Sequence, residues 1–345
     1  MTEAAGRVRA LVEIAGRCAD PGDLLHEELR EALIAKSGLS PAGVDLALSK
    51  HLETRISDAE LAALLASAGR SERCHVVLSA HVCTAALRAL VLAVATSPRA
   101  FLKPSRRDPI LAQLLVREGR RAGLELELTD SIAPQTSDEV HVYGGAAAIG
   151  AIRAELPRGV RFRAHGPGFG VAVVRGMDHE IAAEHLVDDV IPFDQRGCLS
   201  PRIVLVEHDA SGFARVVDRA LTRRGAVVPR GTLPPHEDSA VALFRQLGLA
   251  VGELHGSATH AVLYDPAPES PLLPPTGRSL LVVDSANAGV LSPIVDSITT
   301  VGFSGGAPGV HATLDLGRAK RVLLGTMQRP PLDGPVDART KVIVT

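Results

Sequence analysis

The chain has 345 residues, of which 46% are hydrophobic and 22% charged, and its formal net charge is −2. This composition is ordinary for a globular protein, and the length allows two domains or one large one. The balanced charge and the lack of Trp argue against a nucleic-acid partner, because such a surface needs clustered basic residues and stacking aromatics.

Residues 1–70 are predicted to be helical. Pro41 follows Ser40 in the way that proline starts a helix, and Ser57 with Glu60 forms a capping box before an apolar run. No catalytic pattern occurs in this segment. We interpret it as a layer for packing or oligomerisation.

From residue 71 the pattern changes to short apolar strands that alternate with helices. Strands are predicted at 75–80, 100–105, 124–129 and 139–145. The helices between strands are about a dozen residues long, which is typical of βαβ units in a mainly parallel sheet. The strict alternation at 124–129 predicts a half-exposed edge strand. The region is therefore predicted to have a nucleotide-binding type of fold.

Lys103, in the sequence FLKPS, follows a predicted buried strand. Ligands of open parallel sheets bind at the carboxyl ends of strands, so this lysine is a candidate for contact with a nucleotide ribose or phosphate. Arg106 and Arg107 could neutralise a further phosphate. The same residues also fit a solvated charge cluster at the end of a strand.

Two more candidates follow predicted strands further along the chain. Gly144 and Gly145 open a helix, as phosphate-binding turns do, although the G-x-G-x-x-G spacing is absent. His165 precedes a glycine-rich bend and is a candidate general acid or base. A structural histidine is the alternative interpretation of His165.

Cys198 lies in an unusual setting, the stretch FDQRGCLSPR. Polar residues precede it and a predicted strand follows, which indicates an exposed, reactive thiol; these polar residues are Asp194, Gln195 and Arg196. Gly197 would let the backbone approach a ligand, and the Cys198 amide could donate to a developing oxyanion. A loop cysteine without a role fits the local composition equally well.

The four cysteines and 13 histidines show no metal-ligand spacing, so no metal site is predicted. The first residues lack the apolar core of a signal peptide, and no stretch approaches the roughly 18 apolar residues of a membrane span. These features predict a cytoplasmic protein with free thiols.

In chain order, the strand ending in LKPS, the VYGG turn, the glycine-rich bend and the glycine–cysteine pair resemble the aldehyde dehydrogenase superfamily. Within it, VYGGAAAIGAIRAELPRGVRFRAHG and FDQRGCLSPR are most similar to the acyl-CoA reductase family, which includes the fatty-acid reductase of bacterial luminescence. The tail GTMQRPPLD resembles that family's C-terminal segment.

The resemblance implies an α/β fold of aldehyde dehydrogenase type, with two domains built on mainly parallel sheets and a helical N-terminal segment. The cofactor domain is expected at 71–191 and the catalytic domain at 192–315, meeting at a cleft. Residues 316–345 are expected to return to the cofactor domain. A homo-oligomer is also expected.

The resemblance further implies that Cys198 attacks a fatty acyl thioester of CoA or of a carrier, and that NADPH reduces the acyl-enzyme to an aldehyde. The residues expected to bind the cofactor are Lys103, Ser105, Arg106, Gly144 and Gly145. His165 lies in the bend where oxidising members carry a glutamate, which favours reduction over hydrolysis. His81 takes the place of an asparagine that donates to the oxyanion.

Three alternatives remain open at this point. The protein could reduce an acyl phosphate, which needs a basic pocket for the leaving phosphate, or it could oxidise an aldehyde. It could also be a degenerate family member that binds acyl chains or partners without turnover. For the enzyme, an acyl-donating partner protein could be a further partner.

Overall fold

The computed structural model describes residues 2–79, 82–305, 317–337, 339 and 342–344. The chain forms two compact units: the first contains Met1–Ser37, Val44–Pro167 and Pro331–Thr345, and the second contains Gly38–Gly43 and Gly168–Pro330. The main division falls at 167–168, whereas the expected one was at 191–192. The reason is that the strand at Phe169–Val174 is hydrogen-bonded into the sheet of the second unit.

Four helices precede the first strand, and most of their residues belong to the first unit: α1 Glu3–Ala19, α2 Leu24–Lys36, α3 Pro41–Lys50 and α4 Asp58–Ser67. The predicted capping box begins α4, because the Ser57 hydroxyl accepts from the Glu60 amide and the Glu60 carboxylate accepts from the Ser57 amide. One stripe of α1, including Val8, Leu11 and Ala15, is buried. The helical expectation for this segment is confirmed.

The sheet of the first unit has the strand order β13-β5-β4-β1-β2-β3. Its strands are β1 Arg73–Val77, β2 Arg99–Lys103, β3 Glu125–Leu128, β4 Glu139–Tyr143, β5 Arg161–His165 and β13 Val342–Val344. Strands β1 to β5 are parallel, and β13 pairs antiparallel with β5. The β3 strand lies at the edge, as the alternation of its sequence predicts.

Three helices make the crossovers between these parallel strands: α5 Ala85–Thr96, α6 Ile110–Arg121 and α7 Ala146–Glu155. The strand order reverses between β1 and β4, so a topological switch point lies there. Ligands of open parallel sheets bind beyond the carboxyl ends of the strands at such a point. A ligand of the first unit is therefore expected to bind near the residues that follow β1, β2, β4 and β5.

The second unit is built on a seven-stranded sheet with the order β12-β11-β6-β7-β10-β9-β8. Its strands are β6 Phe169–Val174, β7 Pro201–Val206, β8 Glu253–Gly256, β9 Ala261–Tyr264, β10 Ser279–Asp284, β11 Ile298–Phe303 and β12 Lys320–Leu323. Only the pairing of β8 with β9 is antiparallel among the described strands of this unit.

The helices of the second unit are α8 His179–Val190, α9 Ala210–Val227 and α10 Pro235–Val251, and 3-10 segments occupy Pro192–Gln195 and Ser285–Ser297. Central strands such as β7 and β10 are nearly continuous runs of buried aliphatic residues, as expected for parallel strands covered on both faces. None of the helices in the described part of the chain has the length and apolarity required to cross a bilayer.

Phe162 in β5 tests the packing of the first unit, because its side chain is only 1% exposed and belongs to a cluster with Val140 and Val142. Replacing Phe162 with alanine should lower the free energy of unfolding by about 3–5 kcal/mol through the cavity it leaves. Urea unfolding followed by circular dichroism measures the change. Leu24→Ala, at a side chain that is 81% exposed, should cost less than about 0.5 kcal/mol. Equal effects of the two substitutions would contradict the packing described.

Candidate active site

Four of the predicted cofactor and catalytic residues lie along the carboxyl edge of the first unit's sheet. Lys103 is the last residue of β2, Gly144 and Gly145 follow β4, and His165 ends β5. The register pairs Val77 of β1 with Lys103. The residues therefore share the edge at which the switch point lies, although their order in the sequence separates them widely.

Lys103 is half-buried, and its backbone carbonyl accepts from the amide of Leu78. No ion pair of its amine occurs among the residues that the structure describes. A half-buried ammonium without a counter-ion favours a ligand that brings hydroxyl or phosphate oxygens. Ser105 and Arg106 lie in the loop after β2, where Arg106 is exposed and the Ser105 hydroxyl accepts from the Arg107 amide.

Gly145 is the N-cap residue of α7, and no side chain caps this helix end. A Cβ atom built on Gly145 would meet nothing within 4 Å, so space is open in front of the first helical amides. Unbonded amides and the helix dipole make such an end suitable for a phosphate group. Together with Lys103, this end of the sheet fits the phosphate and ribose parts of a dinucleotide.

His165 is 9% exposed and stacks on Tyr143, with ring centroids 3.9 Å apart. His141 approaches it edge-on at 6.0 Å, and the His165 Nε2 atom has no hydrogen-bond partner among the described residues. Burial, with smaller contributions from His141 and Arg163, lowers the pKa of His165 well below its ordinary value. The imidazole is therefore neutral at pH 7.

A buried ionic network lies behind His165 on the same face of the sheet. Glu139 is fully buried and accepts from His141 at 2.8 Å, and it forms ion pairs with Arg161 and Arg163. Burial alone would raise the pKa of Glu139, but the His141 hydrogen bond and the two arginines lower it. The network keeps the side chains beneath His165 fixed.

The neutral state of His165 has a consequence for stability. Histidine in the unfolded chain titrates near pH 6.5, so acid favours unfolding until the pH falls to the lower pKa of the folded state. Stability from this residue is complete above pH 6.5 and decreases below it. Between pH 7 and pH 5, wild type should lose more unfolding free energy than His165→Phe, by at most about 2 kcal/mol, the limit reached if the folded imidazole binds no proton in this range.

Urea unfolding at the two pH values measures that difference. Phenylalanine keeps the stacking on Tyr143 and removes the titration. His208→Gln is the control, because the His208 side chain is 86% exposed, and this variant should lose as much stability as wild type. Equal losses in His165→Phe and wild type would mean that the imidazole binds its proton as readily in the folded protein as in the unfolded chain.

Cys198 lies in the second unit, in the loop that joins the 3-10 segment to β7. It is half-buried, and its carbonyl accepts from the Thr299 hydroxyl. The expectation of an exposed setting is therefore wrong in part. Its polar neighbours Asp194 and Gln195 are only 2% and 0% exposed, since both find buried hydrogen-bond partners.

The other three cysteines are buried. Burial raises the pKa of Cys18 to about 12 and that of Cys74 well above its ordinary value. Because the thiolate is the nucleophile, these two side chains are poorly suited to attack a carbonyl. Among the four cysteines, all of which are described residues, only Cys198 is not buried.

The loop before Cys198 has an uncommon backbone. Phe193, Asp194 and Gln195 have φ values of 55°, 50° and 65°. Left-handed residues other than glycine cost about 1–3 kcal/mol each and persist only where the surroundings hold them. The side-chain amide nitrogen (Nε2) of Gln195 donates to the carbonyls of Pro201 and Ser279 at 2.8 and 2.7 Å.

A second anchor reaches the loop from the segment 325–328, whose sequence GTMQ resembles a family segment. Asp189 in α8 is fully buried, and its carboxylate accepts from the amides of Gly325 at 2.6 Å and Met327 at 2.8 Å. Burial raises the pKa of Asp189 to about 7, although these hydrogen bonds oppose the rise. Gln328 in turn donates to the Ser200 hydroxyl, close to Cys198.

Asp189, Thr299 and Gln328 were not predicted from the sequence as residues near Cys198. Gln195 was predicted only to be one of several exposed polar residues. The available signal was helical spacing, because Asp189 follows the buried positions Ala182 and Leu186 of the helix by seven and three residues. His81, the expected oxyanion donor, lies outside the residues that the structure describes. Its role remains a prediction.

Solved structures share this fold at low sequence identity. The NAD-dependent benzaldehyde dehydrogenase from Corynebacterium glutamicum is 14% identical, with a TM-score of 0.72 over 99% of this chain and 85% of that one. The NAD-dependent aldehyde dehydrogenase from Sinorhizobium meliloti is 14% identical, with a TM-score of 0.69 over 93% and 75% of the two chains.

Proline utilization A (PutA, mutant D779Y) from Bradyrhizobium japonicum is 15% identical, with a TM-score of 0.68 over 98% of this chain. The chain spans only 42% of the length of PutA. These similarities show the aldehyde dehydrogenase fold, which confirms the predicted fold class.

No curated protein sequence matches the chain. The family model for acyl-CoA reductase (LuxC) matches residues 66–322, a range that includes both Lys103 and Cys198. The match covers most of the chain and confirms the resemblance seen in its motifs. The protein belongs to the acyl-CoA reductase (LuxC) family.

Proposed function

We propose that the protein reduces a fatty acyl thioester to an aldehyde with NADPH, through a covalent acyl group on Cys198. Family membership supports the class of reaction, that of an oxidoreductase acting on acyl or aldehyde groups. The observation that carries the proposal is that Cys198 is half-buried in an anchored loop whereas the other three cysteines are buried.

The Cys198 thiolate attacks the thioester carbonyl and forms a carbon–sulfur bond, while the carbon–sulfur bond to CoA or to a carrier breaks. The CoA or carrier sulfur leaves as a thiolate, which takes up a proton from solvent. Such covalent catalysis divides one difficult step into two easier ones. The amide of Cys198 and His81 are the proposed donors to the developing oxyanion, a role worth about 2.7–4 kcal/mol of barrier for each good donor. Bound NADPH would supply a hydride to the acyl carbon, the carbon–sulfur bond to Cys198 would break, and the aldehyde and the Cys198 thiolate would be released.

Residues at the sheet edge of the first unit are the proposed binding site for the dinucleotide. Lys103 and Ser105 would hold a ribose, and the α7 end at Gly144 and Gly145 would hold a phosphate. The exposed guanidinium of Arg106 would favour the additional phosphate of NADPH. Two solved neighbours are described as NAD-dependent dehydrogenases, which supports a nicotinamide cofactor in this protein.

The environment of His165 supports reduction over hydrolysis. A general base must be able to take up a proton near the working pH, and the lowered pKa of His165 makes it a weak base. A site without an efficient activator of water would preserve the acyl-cysteine until hydride transfer. We therefore propose His165 as a neutral active-site residue that does not promote deacylation by water.

Aldehyde oxidation is the second candidate, because two of the solved neighbours bear the names of aldehyde-oxidising enzymes. The two functions differ in what happens to the acyl-cysteine. An oxidising enzyme hydrolyses it rapidly, whereas a reductase leaves it intact until a reduced cofactor is present.

The test begins by mixing the folded protein with a long-chain acyl-CoA and measuring its intact mass and digested peptides. An acyl adduct on the peptide with Cys198, followed by aldehyde release when NADPH is added, supports the proposal. An adduct that disappears without NADPH favours the oxidising alternative. A folded protein that forms no adduct contradicts both and favours acyl binding without turnover.

A further inference from the structure

The side chain of Asp194 extends from the left-handed turn before Cys198 and is fully hydrogen-bonded. Its Oδ1 atom accepts from the guanidinium of Arg278, at 3.1 Å from Nε and 2.8 Å from Nη2. Its Oδ2 atom accepts from the Gly231 amide at 3.0 Å, and its carbonyl accepts from the Gly277 amide at 3.0 Å. Hydrogen bonds therefore fix both the side chain and the backbone carbonyl of Asp194.

Arg278 is equally enclosed. It is 2% exposed, has a φ of 69°, and also donates from Nη1 to the carbonyl of Val228 at 2.9 Å. The next residue, Ser279, exchanges hydrogen bonds with the side chain of Gln195. Two successive residues of the left-handed turn therefore bond Arg278, which immediately precedes β10, and Ser279, its first residue.

Stability alone is a poor explanation for this ion pair. Removing two charges from water offsets most of their attraction, so apolar residues of similar size often stabilise a core as well or better. The Asp194 carboxylate accepts from Arg278 Nε and from the Gly231 amide, and this pairing defines one geometry because each oxygen has its own partner. The turn that it defines ends at Gln195, three residues before the half-buried Cys198.

We propose that Asp194 and Arg278 are positioning residues, which hold the left-handed turn and thereby aim the Cys198 thiol at the acyl carbonyl. The proposal rests on the function proposed above, because the orientation of the thiol matters for acylation of this cysteine. Both side chains act through the backbone between Asp194 and Cys198. Releasing them should misdirect the thiol and expose it further.

The test uses the double variant Asp194→Asn/Arg278→Met in the full chain. Asparagine tolerates left-handed φ and can still accept from Gly231, and removal of both charges avoids leaving one buried charge unpaired. Two rates are measured for Cys198 by mass spectrometry of its peptide, acylation by acyl-CoA and alkylation by iodoacetamide. The three buried cysteines report on global unfolding.

We expect acylation to slow about 10- to 100-fold, because small misplacements of a reacting group have effects of this size. Alkylation of Cys198 should instead become faster, because a small reagent requires only that the thiol is accessible and does not require one fixed orientation. Cys18, Cys74 and Cys83 should stay unlabelled in the native protein. The single variant Arg278→Lys keeps Asp194 and a cation beside it, so it should be acylated faster than the double variant.

The control is Glu53→Gln/Arg88→Met, which removes another largely buried ion pair, with N–O distance 2.7 Å. Neither rate should change in this variant. Wild-type rates for both reactions in the Asp194/Arg278 double variant would overturn the proposal. Labelling of all four cysteines would instead indicate global unfolding and a structural role only, which also overturns it.

Failure of the proposed function gives a different result. If wild type is not acylated by acyl-CoA, the reductase proposal fails, yet the two alkylation rates can still be compared. If alkylation in the double variant is faster than in wild type at Cys198 alone, the ion pair still positions this thiol, but for an electrophile other than an acyl thioester. Unchanged alkylation removes the positioning role as well.

Discussion

Replacing Cys198 with alanine should abolish the acyl adduct and lower aldehyde production from acyl-CoA by about 10⁴-fold or more, as expected when a covalent nucleophile is removed. The physical reason is that the other three thiols are buried and cannot replace it. Intact-mass measurement after mixing with acyl-CoA, and NADPH consumption in the steady state, report the two effects.

Cys18→Ala is the matched control, because Cys18 is buried in α1. It should retain wild-type acylation and turnover. Binding of NADPH should remain in Cys198→Ala, since no cofactor residue is changed. Persistent acylation of Cys198→Ala at another side chain would show that the nucleophile has been assigned wrongly.

Replacing Lys103 with methionine should raise the KM for NADPH about 10- to 100-fold and leave acylation of Cys198 unchanged. Methionine keeps most of the apolar part of the side chain and removes a charge whose hydrogen bonds to a ligand are each worth about 1.5–3 kcal/mol. Cofactor titration by fluorescence and steady-state kinetics measure the shift.

Lys50→Met provides the comparison, because Lys50 is an exposed residue at the end of α3. Its KM for NADPH should equal that of wild type. If Lys103→Met binds NADPH as tightly as wild type does, the edge of the first unit's sheet does not hold the cofactor through this lysine, and Lys103 belongs to a solvated charge cluster.

Much of the fold could be predicted because local patterns reflect it directly. The capping box at Ser57, the alternating edge strand β3 and the apolar strands β1 and β2 all appear in the structure close to where the sequence places them. The common edge of Lys103, Gly144 and His165 also followed from strand–helix alternation, because parallel strands bring their carboxyl ends together.

The surroundings of Cys198 could not be predicted in the same way. Asp194 and Gln195 resemble a solvated run in the sequence, but their partners Arg278 and Ser279 lie more than 80 residues away. Local composition contains no information on such pairing. The division at 167–168 was missed for a related reason, since strand β6 has the same apolar character as the strands of the preceding sheet.

The pairing of β13 with β5 has a consequence for biosynthesis. The ribosome completes the first five strands of the first unit early, then produces the whole of the second unit, and only afterwards releases the strand that pairs with β5. Until that moment, one side of β5 in the nascent polypeptide presents unpaired amides and carbonyls. The first sheet can therefore receive this strand only after the second unit has been synthesised, whereas the strands of the second unit are all available to one another before that point.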